Sequence, residues 1–513
     1  MRCTRTSPIV ILITLAGCGN SATASDVPSN QSGTASEAQH HSTPPSIAAD
    51  ALKASASDSV VKDFYERTGW RGLWSEAGAS ALDQAIASRR QNGLDRVSFG
   101  SIDTSMSPAE KDVARTRAAL GYAAALANGV VEPATLHDVY TIPEAEADVA
   151  SGLAQALQKN RVAAFFAGLA PQDDDYKRLS QAYAKYAGSN TSSGEIAADE
   201  TIHPGDRDPR LGEIATELVA NGYLSKADVP ATGSGQVSQY TSALAEAVKT
   251  LQSDYGIKTD GLIGSDTLAV INIGPADKAR ALAVALERRR WLTRTPPATR
   301  IDVNAAAATL DYYREGELID QRRVIVGKPG RETPLLRAPL YRLVANPTWT
   351  VPKSISVSQS AIDAKNMRRE NGYLVQPPGP DNALGLVKFD MQNDHQIYLH
   401  DTNDRTLFDR TQRNLSHGCV RVQDALGFAK MIAEQEGVAD QWQQARQSGD
   451  QTFVDLPQPI PVRLLYQNVF VGRDGGVTFR TDPYGWNDAI AKGLGFGGSS
   501  SKHAVAKNID LGP

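Results

Sequence analysis

The hydrophobic period of this 513-residue chain changes near Thr299. Before that point apolar side chains recur at helical spacing. "VVKDFYERTGWRGLW" puts Val60, Phe64 and Tyr65 in one helical pattern. "SALDQAIASRRQNGLD" carries Leu82 and Ile86 toward a stop at Gly93. Ala-rich helices are predicted between 108 and 187. Beyond Thr299, alternating runs such as "RIDVNAAAATLDYYREGELIDQRRVIVGK" and "YRLVANPTWTVP" predict strands, with a hairpin turn at Glu315-Gly316. A period of 3.6 and a period of 2 cannot share one element. The chain is also too long for one core, so roughly two to four domains are expected. The fold class is multidomain α+β.

The formal net charge of −5 gives no global basic field, so no nucleic-acid partner is expected. At the N-terminus, Arg2 and Arg5 precede the apolar run Ile9–Leu15, then Ala16-Gly17-Cys18. That order predicts a secretory signal peptide over 1–18, too short to span a bilayer. "LAGC" resembles a bacterial lipobox, which implies lipidation of Cys18. Gly19 stands where Asp would imply inner-membrane retention, so a lipid anchor in the outer membrane, facing the periplasm, is expected. Residues 19–50, rich in Ser, Thr, Ala and Pro, are read as a disordered tether. The chain holds Cys3, Cys18 and Cys419. With Cys3 and Cys18 assigned to the leader and the anchor, Cys419 is the one free thiol of an exported protein: buried and inert, or reactive.

Cys419 sits in "NLSHGCVRV" (414–422). Read as an extended strand, "SHGCV" turns His417 and Cys419 to one face, and Gly418 lets a ligand backbone approach. Upstream, "HQIYLHDT" alternates, with Tyr398 and His400 on one face. His400 precedes Cys419 by nineteen positions, chain enough to return on a neighbouring strand and place an imidazole within reach of the thiol. The metal alternative would use His400, Asp401, His417 and Cys419. It lacks the usual ligand-clip spacing, so no metal is expected. A helix is predicted over "VQDALGFAKMIAEQEG", with Asp424 as its N-cap.

"HDTNDRTLFDRTQRNLSHGCVRV" resembles the signature of L,D-transpeptidases with a YkuD-type catalytic domain: a His, a spacer, then Ser/Thr-His-Gly-Cys. "RVIVGKPGRETP", "NPTWTVPKSI" and "VQPPGPDNALGLVKF" resemble the larger YcbB-like subfamily. "ALAEAVKTLQSDYGIKTDGLIGSDTLAVINI" (243–273) resembles a peptidoglycan-binding type 1 module through Leu251-Gln252, Gly256, Asp260-Gly261, Gly264 and Thr267. In that module Gly256 is expected to end one helix, and Ser265 or Asp266 to N-cap the next.

The resemblance implies the following organisation. A helical scaffold domain covers 51–240, the module 241–275, and a scaffold helix or linker 276–298, with 188–209 a linker or long loop. A mostly-β catalytic domain covers 299–488, with a lid at about 350–374, and a disordered tail runs over 489–513. It implies Cys419 as nucleophile and His400 as general base and acid. Ser416 is implied to orient an imidazole, His417 to support the site, and the Gly418 backbone to donate to an oxyanion. Tyr398 and Arg421 are expected to contact substrate. Many members have Asn where this chain has Arg421, and a salt bridge to an acidic neighbour is the alternative role for Arg421. The implied activity cross-links peptidoglycan stems through a cysteine acyl-enzyme with release of D-Ala, and needs no cofactor. Hydrolysis by an L,D-carboxypeptidase, attachment of a lipoprotein, and a non-catalytic peptidoglycan anchor are the alternatives. NlpC/P60-type cysteine hydrolases place the nucleophile before the base, the reverse of the order here.

Overall fold

The computed structural model describes residues 43–188, 195–229, 238–352 and 355–497. The expected signal segment, Cys18, residues 19–42 of the tether and 498–513 of the tail lie outside the described residues. Among the described residues no helix is long and apolar enough to cross a membrane.

Helices before Thr299 surround one central helix, Pro275–Trp291, which is buried on nearly every side. A helix without an exposed stripe belongs to a core. It carries a buried ion pair: Arg290 donates to Glu287 at 2.6 Å, both side chains fully buried. Glu287 also accepts from the backbone N–H groups of Val130 and Val131. Several surrounding helices start on side-chain caps, as at Ser107, which forms a full capping box with Glu110. The Ser59–Thr68 helix buries Val61, Phe64 and Tyr65 and leaves Val60 exposed, so its inner stripe is shifted by one residue from the sequence expectation.

The peptidoglycan-binding-like motif folds as expected over Ser242–Tyr255, which ends at Gly256. Gln252 explains part of its signature. Its buried amide accepts from Gly261 N–H and donates to Leu262 carbonyl and Thr267 Oγ1, tying the turn to the second helix. That helix, Ser265–Ile271, has Gly264 at its N-cap and no capping side chain, unlike the Ser265 or Asp266 cap expected. The module's core also takes in Ile196, Ile202, Leu211, Ile214 and Leu218. Part of the segment read as a linker thus supplies core residues that a 241–275 unit could not.

The β region contains β1 (Arg300–Asn304), β2 (Thr309–Arg314), β3 (Glu317–Gly327) and β4 (Leu336–Ala345). Short strands β5 (Trp349–Thr350), β6 (Arg368–Glu370) and β7 (Tyr373–Gln376) follow. Then come β8 (Val387–Met391), β9 (Leu399–His400), β10 (Asn414–Ser416), β11 (Val420–Val422) and β12 (Thr452–Leu465). The main sheet runs β10-β3-β11-β9-β8-β4-β12-β1-β2, and the β2–β3 hairpin closes it on itself. That hairpin turns at Glu315-Gly316, both with positive φ. One sheet face meets the helices Ala425–Gln435 and Ala439–Gln447 through Val326, Phe389, Leu399, Val420, Phe428 and Trp442. Asp424 caps the first of these, accepting from Gly427 N–H.

The expected lid segment forms its own three-stranded sheet, β5-β7-β6, with the helix Gln359–Ala364. Its small apolar cluster of Trp349, Val351, Met367, Ala383 and Leu384 packs against Tyr398. After β12 the chain makes the hairpin β13 (Val469–Val471) and β14 (Val477–Phe479) and a helix, Asn487–Gly493. Ile490, Ala491, Leu494 and Phe496 are buried in the helical core. The start of the expected disordered tail is therefore ordered, because its apolar residues recur at helical spacing and find that core.

Candidate active site

The "NLSHGCVRV" segment is two short strands around a bend, which overturns the single extended strand expected of it. β10 runs parallel to β3, and β11 runs antiparallel to it. The reversal falls on His417-Gly418, where Gly418 has φ +117°, a region that favours glycine. The face-sharing argument for His417 and Cys419 therefore does not apply.

Ser416 holds this bend. Its hydroxyl donates to the Cys419 carbonyl at 2.6 Å and accepts from the Gly418 N–H at 3.1 Å. It thus serves the backbone of the turn, where sequence suggested an imidazole, and the Gly418 N–H is already engaged. The loop after β3 backs the turn from the other side. Thr333 Oγ1 donates to the Gly418 carbonyl at 2.9 Å and accepts from Gly327 N–H, and Lys328 N–H donates to the Ser416 carbonyl. A Cβ at Gly327 would meet the Arg331 carbonyl at 2.1 Å, so only glycine admits this loop.

β9 and β11 are parallel neighbours, with Leu399 opposite Val420 and His400 opposite Arg421. Leu399, Val420 and Val422 go to the core, so Tyr398, His400, Cys419 and Arg421 share the other face. β8 extends the row, placing Lys388 opposite His400. Lys388 pairs with Asp390 at 2.6 Å, and its Nζ lies 4.4 Å from the Tyr398 ring centre. The Tyr398 and His400 rings meet edge-on at 5.6 Å. Sequence reading missed Lys388. The alternation in "LVKFD" marks a strand with a polar face, but nothing in the sequence sets its register on β9.

Cys419 is half-buried, and its Sγ stands 3.8 Å from the Gln396 carbonyl. Burial raises the thiol pKa, while Tyr398 hydrogen bonding and the Lys388 and Arg421 charges pull it back. His400 is fully buried, and neither ring nitrogen has a partner in hydrogen-bond geometry among the described residues. Burial, then the Arg421 charge, pushes its pKa down to about 3; the backbone at Asp401 and Leu384 offsets only part of this. The thiol and the imidazole therefore both rest neutral near pH 7. Arg421 is 1% exposed, and its pKa falls to about 10 through burial, with Cys419 and Asp404 opposing. Asp401, beside His400, accepts from Leu386 N–H at 3.0 Å and meets Arg405 at 3.6 Å. This ties the end of β9 to the start of β8. His417 is half-buried at the bend.

The buried histidines set an acid limit on stability. An ordinary imidazole titrates near 6.5, whereas folded His400 titrates near 3 and His137, desolvated beside Arg288, near 4. In that window the unfolded chain binds protons that the folded chain refuses. Stability is thus full above about pH 6.5 and falls as pH drops, by up to about 1.4 kcal/mol per pH unit for each histidine. Thermal melts from pH 7 to pH 4 should show this decline. A flat profile would contradict the burial of neutral imidazoles.

Residues 298–450 match the family described as "L,D-transpeptidase catalytic domain", residues 59–182 "Scaffold domain" and residues 207–271 "Putative peptidoglycan binding domain". A Haemophilus influenzae protein described as "Putative L,D-transpeptidase" is 31% identical over 224 residues, covering 37% of this chain and 45% of that protein. The chain thus spans less than half the length of that relative. Among solved structures, an L,D-transpeptidase from Stackebrandtia nassauensis matches 52% of this chain and 95% of its own, at 14% identity and TM-score 0.22. An L,D-transpeptidase from Mycobacterium smegmatis matches 34% and 60%, at 14% identity and TM-score 0.20.

Proposed function

We infer that this chain, which carries a YkuD-type L,D-transpeptidase catalytic domain together with a scaffold domain and a peptidoglycan-binding domain, is a transferase that cross-links peptidoglycan stem peptides through an acyl-enzyme on Cys419. The observation that carries this reading is the placement of Cys419 and His400 on one face of adjacent strands, inside the matched catalytic domain.

In the proposed reaction His400 takes the thiol proton as Sγ attacks the stem carbonyl. A C–S bond forms and the C–N bond to the terminal D-Ala breaks, its nitrogen receiving the proton from His400. Neutral His400 suits the first half of this exchange, and the thioester then transfers to an amine of a second stem. With the Gly418 N–H engaged by Ser416, the Cys419 N–H is the donor on this turn assigned to the developing oxyanion. Lys388 and Tyr398 line the face where the stem would lie, Tyr398 as a substrate contact, whereas Arg421, 1% exposed, acts from behind that face as a buried positive charge near Cys419 and not as the substrate contact expected from sequence. The subdomain over Tyr398 would act as the lid that keeps water from the thioester and favours the amine. The same reading places the protein in the periplasm, tethered to the outer membrane by lipid at Cys18.

Purified protein incubated with tetrapeptide muropeptides should yield linked dimers and free D-Ala by mass spectrometry. Tripeptides alone would point to hydrolysis. Unchanged substrate would leave the chain a peptidoglycan-binding anchor and overturn the proposal.

A further inference from the structure

The nucleophile turn is held from outside the matched catalytic domain. Tyr484, in the segment after β14, donates its hydroxyl to the Gly327 carbonyl at 2.6 Å and accepts from Thr333 N–H at 3.3 Å. Thr333 in turn carries the Gly418 carbonyl on its hydroxyl, one residue from Cys419. Tyr484 thus fixes both ends of the loop that supports the turn.

Tyr484 is itself fixed from the helical scaffold. Its ring stacks on Tyr466 at 5.1 Å and meets Trp486 at 4.8 Å, and its N–H donates to Tyr466 Oη. Tyr466 donates to Asp482, whose carboxylate also accepts from Trp486 and Asn487 N–H. Arg288 of the central helix, 2% exposed, donates to Asn468 and Asn487, with its guanidinium 5.0 Å from the Tyr466 ring centre. Continuous contacts therefore run from the scaffold core through residues 466–487 to Thr333 and Gly418.

We propose that Tyr484 and Thr333 are positioning residues for Cys419, and that the 466–487 segment makes the scaffold's integrity a condition for full catalytic rate. This rests on Cys419 being the nucleophile. A turn set by a few hydrogen bonds fixes the line of attack, and small displacements of a nucleophile cost rate more than affinity.

Tyr484→Phe keeps the ring stack and removes only the hydroxyl. Thr333→Val keeps the volume and removes the bond to Gly418, whereas Thr333→Ser restores it. Tyr484→Phe and Thr333→Val should each lower kcat about tenfold, the loss expected when a hydrogen bond that aligns the reacting atoms is removed. KM should stay within about twofold, and Thr333→Ser should recover most of the rate. Because both groups act on one loop, the double variant should lose little more than the worse single variant. Alkylation of Cys419 by iodoacetamide, which needs the thiol but no aligned carbonyl, should change little. Unchanged kcat in both single variants, or failure of Thr333→Ser to recover what Thr333→Val loses, would overturn the inference. These failures are separable from failure of the proposed function: if Cys419→Ala still forms product, the nucleophile assignment itself is wrong.

Discussion

Cys419→Ala should form no linked dimer and release no D-Ala from tetrapeptide stems, a rate loss on the order of 10⁶-fold when a covalent nucleophile is removed. Nothing else in the proposed site can replace it. His400 has no second thiol to activate, since Cys419 is the free cysteine among the described residues. The fold should survive, because the side chain lies on the site face, away from the apolar core that holds Val420 and Val422. Melting temperature should therefore stay within about 4 °C of the parent, the shift that ~1 kcal/mol produces in a domain of this size. Loss of product together with collapse of the melt would show a structural role and weaken the assignment.

His400→Gln should lower the acylation rate by about 10²–10⁴, the usual contribution of a positioned general base. Glutamine fits the space but accepts no proton. It also buries an amide where the ring nitrogens have no hydrogen-bonding partner among the described residues, so stability at pH 7 should drop by about 1–3 kcal/mol. The pH dependence separates this cost from the chemistry. Parent His400 refuses a proton down to about pH 3, so the parent loses stability as pH falls below 6.5. The variant lacks that titrating group, and its stability deficit should shrink toward pH 4. Melts at both pH values and single-turnover acylation at pH 7 check the two halves. Full acylation in the variant would exclude His400 as the base.

Much of the fold was legible in sequence because the determining signals are local. The change of period near Thr299 divides an all-helical region from the region that holds the strands. Glu315-Gly316 turns a hairpin, Gly256 stops a helix and Asp424 caps one, each through its own backbone preference. Alternation in "HQIYLHDT" correctly put Tyr398 and His400 on one face, since strand faces follow from a period of two.

What sequence did not show depends on partners distant along the chain. The bend at Gly418 arises because β3 accepts β10 on one side and β11 on the other, a pairing that a nine-residue run does not encode. Ser416 therefore serves a turn that sequence reading did not foresee. Lys388 reaches the site through antiparallel register alone. Tyr484 reaches it through a loop that begins at Gly327, more than 150 positions earlier. The 188–209 stretch and the start of the C-terminal tail look polar or Gly-rich overall. Their few apolar residues, such as Ile202 and Ile490, are buried in cores assembled from elsewhere.

The central claim is that Cys419 carries the stem as a thioester. Its most direct test is the intact mass of the protein after brief mixing with a tetrapeptide donor and no acceptor, followed by acid quench and peptide mapping. The account predicts a mass increase equal to the donor minus D-Ala, mapped to the peptide containing Cys419 and absent from Cys419→Ala. Dimer formation with no adduct on Cys419, or an adduct on any other residue, would contradict it.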